Sequence, residues 1–77
     1  MKLTPKRRAV LEALEINGEL TTREISEQNG KPVYWAADPV REMRRDGLIR
    51  DTGDYERNTW GITDAGLRAL SEAREGE

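Results

Sequence analysis

Each of the first three candidate helices in this chain runs into a glycine: Asn17-Gly18, Asn29-Gly30 and Gly47. Glycine takes the left-handed conformation that closes a helix at little steric cost, so these positions read as stop signals. The matching start signals lie upstream. Thr4-Pro5 supplies an N-cap followed by proline at the first helical position. In the helix it opens, Val10, Leu11 and Leu14 repeat at helical spacing, and Ile16 is expected to finish the apolar face. Glu19-Leu20 reads as a short extended link. Thr21-Thr22-Arg23-Glu24 then fits a capping box, with Glu24 three residues after the capping Thr21. That box opens a helix of about two turns with Ile25 pointing inward.

The segment from Lys31 to Asp46 poses a choice. Ala36, Val40 and Met43 share one helical face, and Pro39 falls among them. A proline in a helix interior removes a hydrogen bond and clashes with the preceding turn, at about 3 kcal/mol. Either the helix starts near Val33, runs to residue 46 and bends, or an irregular turn precedes a helix starting at Pro39, with Asp38 as its cap. The phase of Ala36 with Val40 and Met43 favours the first. Beyond Gly47, Leu48 to Asp51 reads as a strand, Thr52-Gly53-Asp54 as a turn, and Asn58 to Ile62 as the returning strand. Thr63-Asp64 caps a last helix expected to bury Leu67 and Leu70, with residues 72–77 as a frayed tail.

Seventy-seven residues make at most one domain, here 1–77, with a modest core. The absence of Cys and His removes disulfides, thiolate metal sites, the commonest zinc ligand and the usual base for a nucleophilic serine. No phosphate-binding glycine loop occurs. The chain therefore reads as a non-enzyme without cofactor, metal or small-molecule effector. No apolar run is long enough to span a membrane, no signal-peptide apolar region follows Met1, and the expected compartment is the cytoplasm. Net charge is −2, which opposes binding to nucleic acid in bulk. The placement of the cations carries more information. Lysine occurs only at Lys2, Lys6 and Lys31 among 13 basic residues, the rest being arginine, whose planar fork reads bases and phosphates in pairs of bonds.

The order helix, helix, helix, hairpin, helix, with the pieces "LTTREIS", "VREMRRDGLIRD" and "TWGITDAGLRAL", resembles the winged helix-turn-helix superfamily. It looks closest to small MarR-like domains and to haloarchaeal or archaeal-virus PhiH1-repressor-like domains. The resemblance covers nearly the whole chain. It implies a mainly α fold with a small β-hairpin wing: three helices, a two- or three-stranded wing and a C-terminal helix. It further implies a sequence-specific double-stranded DNA-binding transcription regulator, a repressor, reading the major groove with the helix around residues 33–46. Pro39 and Asp38 depart from the usual pattern of that helix.

Opposite Ala36, Val40 and Met43 lie Tyr34, Asp38, Arg41 and Arg45. Arg41 is suited to fork to guanine O6 and N7. Arg45, lower on the helix, suits a phosphate. Tyr34 suits a phosphate or a thymine methyl. Asp38 suits cytosine N4, or orients Arg41 at three residues' spacing. Thr22 and Arg23 begin the second helix, where free N–H groups attract phosphate, although plain capping explains them equally well. Lys31 precedes the reading segment. Arg57 and Asn58 are the candidate wing contacts, opposed by Asp51, Asp54 and Glu56. Arg50 lies at the same hairpin, and Tyr55 is expected to pack under the wing. Trp35 and Trp60 read as core-edge residues. Lys2, Lys6, Arg7 and Arg8 form a basic run at the start of the first helix. They read either as an arm on the DNA backbone or as a solvated helix face.

The expected partner is double-stranded DNA, with a weak homodimer formed on it through the last helix and the start of the first. The rival reading is a winged-helix protein-interaction module without DNA affinity. It is supported by the net charge, Asp38 and the acidic wing.

Overall fold

The computed structural model describes residues 3–53 and 57–76. In order they form α1 (Pro5–Asn17), β1 (Leu20–Thr21), α2 (Thr22–Gln28), α3 (Ala37–Arg45), β2 (Ile49–Asp51), β3 (Thr59–Ile62) and α4 (Asp64–Glu75). Three threonines start three helices. Thr4 Oγ1 accepts the Arg7 N–H at 3.2 Å, and Thr63 Oγ1 accepts that of Gly66 at 3.1 Å. Thr21 makes the full capping box: its hydroxyl accepts from Glu24 N at 3.1 Å while its own N–H donates to Glu24 Oε1 at 3.0 Å. α3 ends in a Schellman pattern, with Gly47 at φ +79°, Leu48 N–H donating to Met43 O and Gly47 N–H to Arg44 O.

The continuous helix from Val33 is not observed. Residues 33–36 form turns instead, closed by Trp35 N–H to Pro32 O and Ala37 N–H to Tyr34 O, and α3 starts at Ala37. Proline explains the boundary. In an uninterrupted helix the Pro39 ring would meet the carbonyl of Trp35, four residues back. With the start at Ala37, Pro39 falls in the first turn, where no intrahelical donor is required. The irregular-turn alternative is therefore the observed one, with the helix beginning two residues before Pro39. The turn is pinned to α2 by the buried Ser26. Its Oγ accepts the Ala36 N–H at 3.1 Å and lies 3.2 Å from the carbonyl oxygens of Thr22 and Val33.

The sheet order is β1-β3-β2, both pairings antiparallel, with Leu20 opposite Trp60 and Ile49 opposite Ile62. The link at Leu20 thus becomes the third strand of the wing sheet. The fold is a mainly helical winged helix. Its core gathers Val10, Leu11 and Leu14 from α1, Ile25 from α2, Val40 and Met43 from α3, with Ala36, Leu48, Ile49 and Leu70.

Three expectations about packing are corrected. Ile16 does not complete the α1 face and is 79% exposed. Leu67 is 41% exposed rather than buried. The inward line of α4 passes through Gly66 and Leu70, one turn apart, which turns Leu67 away. A Cβ at residue 66 would overlap the Leu48 carbonyl oxygen, so glycine is what lets α4 close on the segment just before β2. Finally, α4 continues through Glu75 where a frayed tail was expected. Arg74 donates to Glu15 at 2.8 and 3.2 Å and lies 3.6 Å from Glu12, fastening that end to α1.

Candidate nucleic-acid interface

The strongly amphipathic α3 buries Pro39, Val40 and Met43 and turns Asp38, Arg41, Arg44 and Arg45 outward. Its carbonyl end carries Arg44 and Arg45, which suits the helix dipole. Arg41 and Asp38 are about three-quarters exposed and face each other at 3.6 Å, so the expected three-residue contact forms. Such a pair contributes little to stability and is easily exchanged for another anion. Arg45 lies 3.4 Å from Asp46. Tyr34 is 74% exposed in the turn before α3, and Lys31 is exposed earlier in the same loop.

The other expected contacts have partners inside the protein. Thr22 Oγ1 accepts the Trp60 indole N–H at 3.0 Å. Arg23 donates to Glu27 at 3.2 Å on the exposed side of α2. Arg57 donates to Glu24 at 2.8 Å, and Asn58 is exposed beside it. The Thr21 backbone N–H, followed by the Thr21 hydroxyl and Arg57, holds the Glu24 carboxyl below its usual value, against a desolvation that would raise it. The start of α2 is thus satisfied by its own capping box and carries a carboxylate. Asp51 accepts the Gly53 N–H at 2.9 Å and shapes the turn out of β2. Asp54, Tyr55, Glu56 and Lys2 lie outside the described residues. The rest of the basic run is engaged within the protein: Arg7 with Glu42, Arg8 with Glu12 at 3.4 Å, and Lys6 over the Trp35 ring at 5.3 Å.

One cation was not legible as a site residue. The Arg44 guanidinium lies over the Trp60 ring, its Cζ 5.6 Å from the ring centroid. The two side chains close a cleft of about 240 Å³ between α3 and β3, lined also by Thr22, Ala37, Val40 and Arg41. The helical phase of Arg44, between Val40 and Arg41, was the available signal; the partner ring is sixteen residues away in sequence. Among the described residues no group of acidic side chains could hold a metal ion, and no helix is long and apolar enough to cross a membrane.

No protein-family model matches the sequence, and no curated protein sequence matches it. Solved structures do match. A MarR family protein from Bacillus stearothermophilus superposes with a TM-score of 0.86 at 26% identity, over 99% of this chain and 54% of that one. The PcaV transcriptional regulator from Streptomyces coelicolor, solved with its natural ligand, gives 0.86 at 28% identity over 96% and 55%. BpsR from Bordetella bronchiseptica, whose DNA binding is regulated by 6-hydroxynicotinic acid, gives 0.85 at 16% identity over 96% and 54%. The fold is therefore a MarR-like winged helix, and the chain spans about half the length of the structures it matches.

Proposed function

We propose that this chain is a sequence-specific double-stranded DNA-binding transcription regulator, a repressor that blocks polymerase access by occupying its site. The observation that carries the reading is the outward face of α3, where three arginines project beside the wing sheet of a MarR-like winged helix. In this reading α3 enters the major groove. Arg41 exchanges Asp38 for a guanine edge, with Asp38 free to accept from a cytosine amino group. Arg45, Lys31 and Tyr34 hold phosphates on either side, and Arg57 and Asn58 approach the backbone from the wing. Thr22 and Arg23 border the same surface. The protein acts in the cytoplasm, without a small-molecule effector of its own. Two copies occupy a palindromic site, and the half-exposed Leu67 adds to the small residues of α4 that face the partner.

DNase footprinting with methylation interference on the DNA upstream of the protein's own reading frame tests this. A discrete protected site, with binding blocked by methylation at guanine N7, supports the reading. The net charge of −2 and the Asp38 carboxylate in the middle of the face favour a protein-interaction module instead. Absence of protection at low salt decides for that alternative.

A further inference from the structure

We propose that the cleft between α3 and β3 is a seat for one phosphodiester of the DNA backbone, with Arg44 as its cation and Trp60 as the residue that positions Arg44. The proposal rests on the DNA-binding reading above and adds a contact to it.

Two of the three outward arginines of α3 already face a carboxylate. Arg41 faces Asp38 at 3.6 Å and Arg45 faces Asp46 at 3.4 Å. Arg44 has no carboxylate within ion-pair reach among the described residues. Its guanidinium lies against the Trp60 ring instead. A cation–π contact of this kind holds the guanidinium near the ring without using its N–H donors, which remain available to an anion. The Trp60 ring is itself fixed. Its backbone is paired with Leu20 and with Asp51 at the centre of the sheet, and its indole N–H donates to Thr22 Oγ1 at 3.0 Å. In that bond the Thr22 oxygen is the acceptor, so its O–H remains a donor on the cleft wall.

The chemistry of the lining selects the occupant. Ala37, Val40 and the indole give the lining apolar surface, while Arg44 and the Thr22 hydroxyl supply donors, with Arg41 beside them. A sugar–phosphate unit has the same division, with an apolar deoxyribose face beside an anionic phosphate. The neighbouring acids are both paired: Asp38 faces Arg41 at 3.6 Å, and Glu24, two residues from Thr22, lies 2.8 Å from Arg57. The size agrees as well, since about 240 Å³ is of the order of one sugar–phosphate unit. Such a contact fixes the register of α3 in the groove without reading sequence.

The test measures binding of the whole chain to a mixed-sequence duplex by fluorescence anisotropy over a salt series. Arg44→Ala is expected to weaken binding about tenfold at 0.1 M salt and to lower the steepness of log K against log salt by about 0.9, the value of one phosphate. Trp60→Leu is expected to reproduce that loss with Arg44 still present, and the double variant to be no worse than either single one. Trp60→Phe, which keeps a ring, retains most of the binding. Wild-type slope and affinity in Arg44→Ala would overturn the seat while leaving the DNA reading intact, as would additive losses in the double variant. Failure of the wild-type chain to bind any duplex would overturn both. Arg44 is exposed, so its variant folds and carries the test even if Trp60→Leu does not.

Discussion

Arg57 donates to the Glu24 carboxylate at 2.8 Å across 33 residues of sequence, tying the wing to the capping box that starts α2. The same carboxylate accepts the Thr21 N–H, so one side chain serves local helix initiation and long-range docking at once.

This arrangement makes stability depend on pH in a definite direction. Glu24 is held below its usual value, first by the Thr21 backbone N–H and then by its hydroxyl and Arg57. Arg74 acts likewise on Glu15. A carboxyl lowered in the folded state contributes stability that is full above its unfolded value, about 4.3, and is lost as pH falls through the folded one. Thermal melts should therefore show Glu24→Gln destabilised at pH 7, with the gap to wild type closing toward pH 3. An equal gap at both pH values would contradict the assignment.

The two outer arginines of α3 should separate by kind of contact. Arg41→Ala is expected to cost about 1–3 kcal/mol on a specific site and to relax its base preference. Arg45→Ala should weaken all duplexes alike. Competition binding on a panel of single-base variants of the protected site distinguishes the two. An unchanged preference in Arg41→Ala would remove it from base readout.

The start and stop chemistry was legible in the sequence because it is local. Thr4, Thr21 and Thr63 cap as their positions indicate, and Gly47 closes α3. Ala36, Val40 and Met43 are buried as their spacing implied, although Ala36 precedes the helix. Apolar phase alone suggests helical continuity there, but a turn stapled by Ser26 achieves the same burial. Leu67 misled for a related reason. Its hydrophobicity was visible, but the line of burial in α4 is set by the close approach of Gly66 to Leu48. The seat formed by Arg44 and Trp60 depends on which strand packs beside α3, and nothing within either segment reports that.

Gly66 offers a direct check on this close approach. Gly66→Ala places a Cβ against the Leu48 carbonyl oxygen and Ile62. Overpacking of this kind typically costs about 1–3 kcal/mol. Chemical denaturation should show that loss, despite the better helix propensity of alanine. A gain in stability would mean that α4 can shift away from Leu48 and Ile62.

Association should be weak without DNA. The half-exposed Leu67 and the small residues of α4 offer little area. Sedimentation should find monomers at micromolar concentration, and titration on a palindromic site should find two copies. A dimer that persists at nanomolar concentration without DNA would contradict this.

If arginines and lysines on α3 and its flanks engage the DNA backbone, binding must weaken steeply as salt rises. With about four to six phosphates engaged, log K should fall with log salt at a slope of roughly −4 to −5. A flat response, or no binding to any duplex at low salt, would show that these cations do not hold DNA.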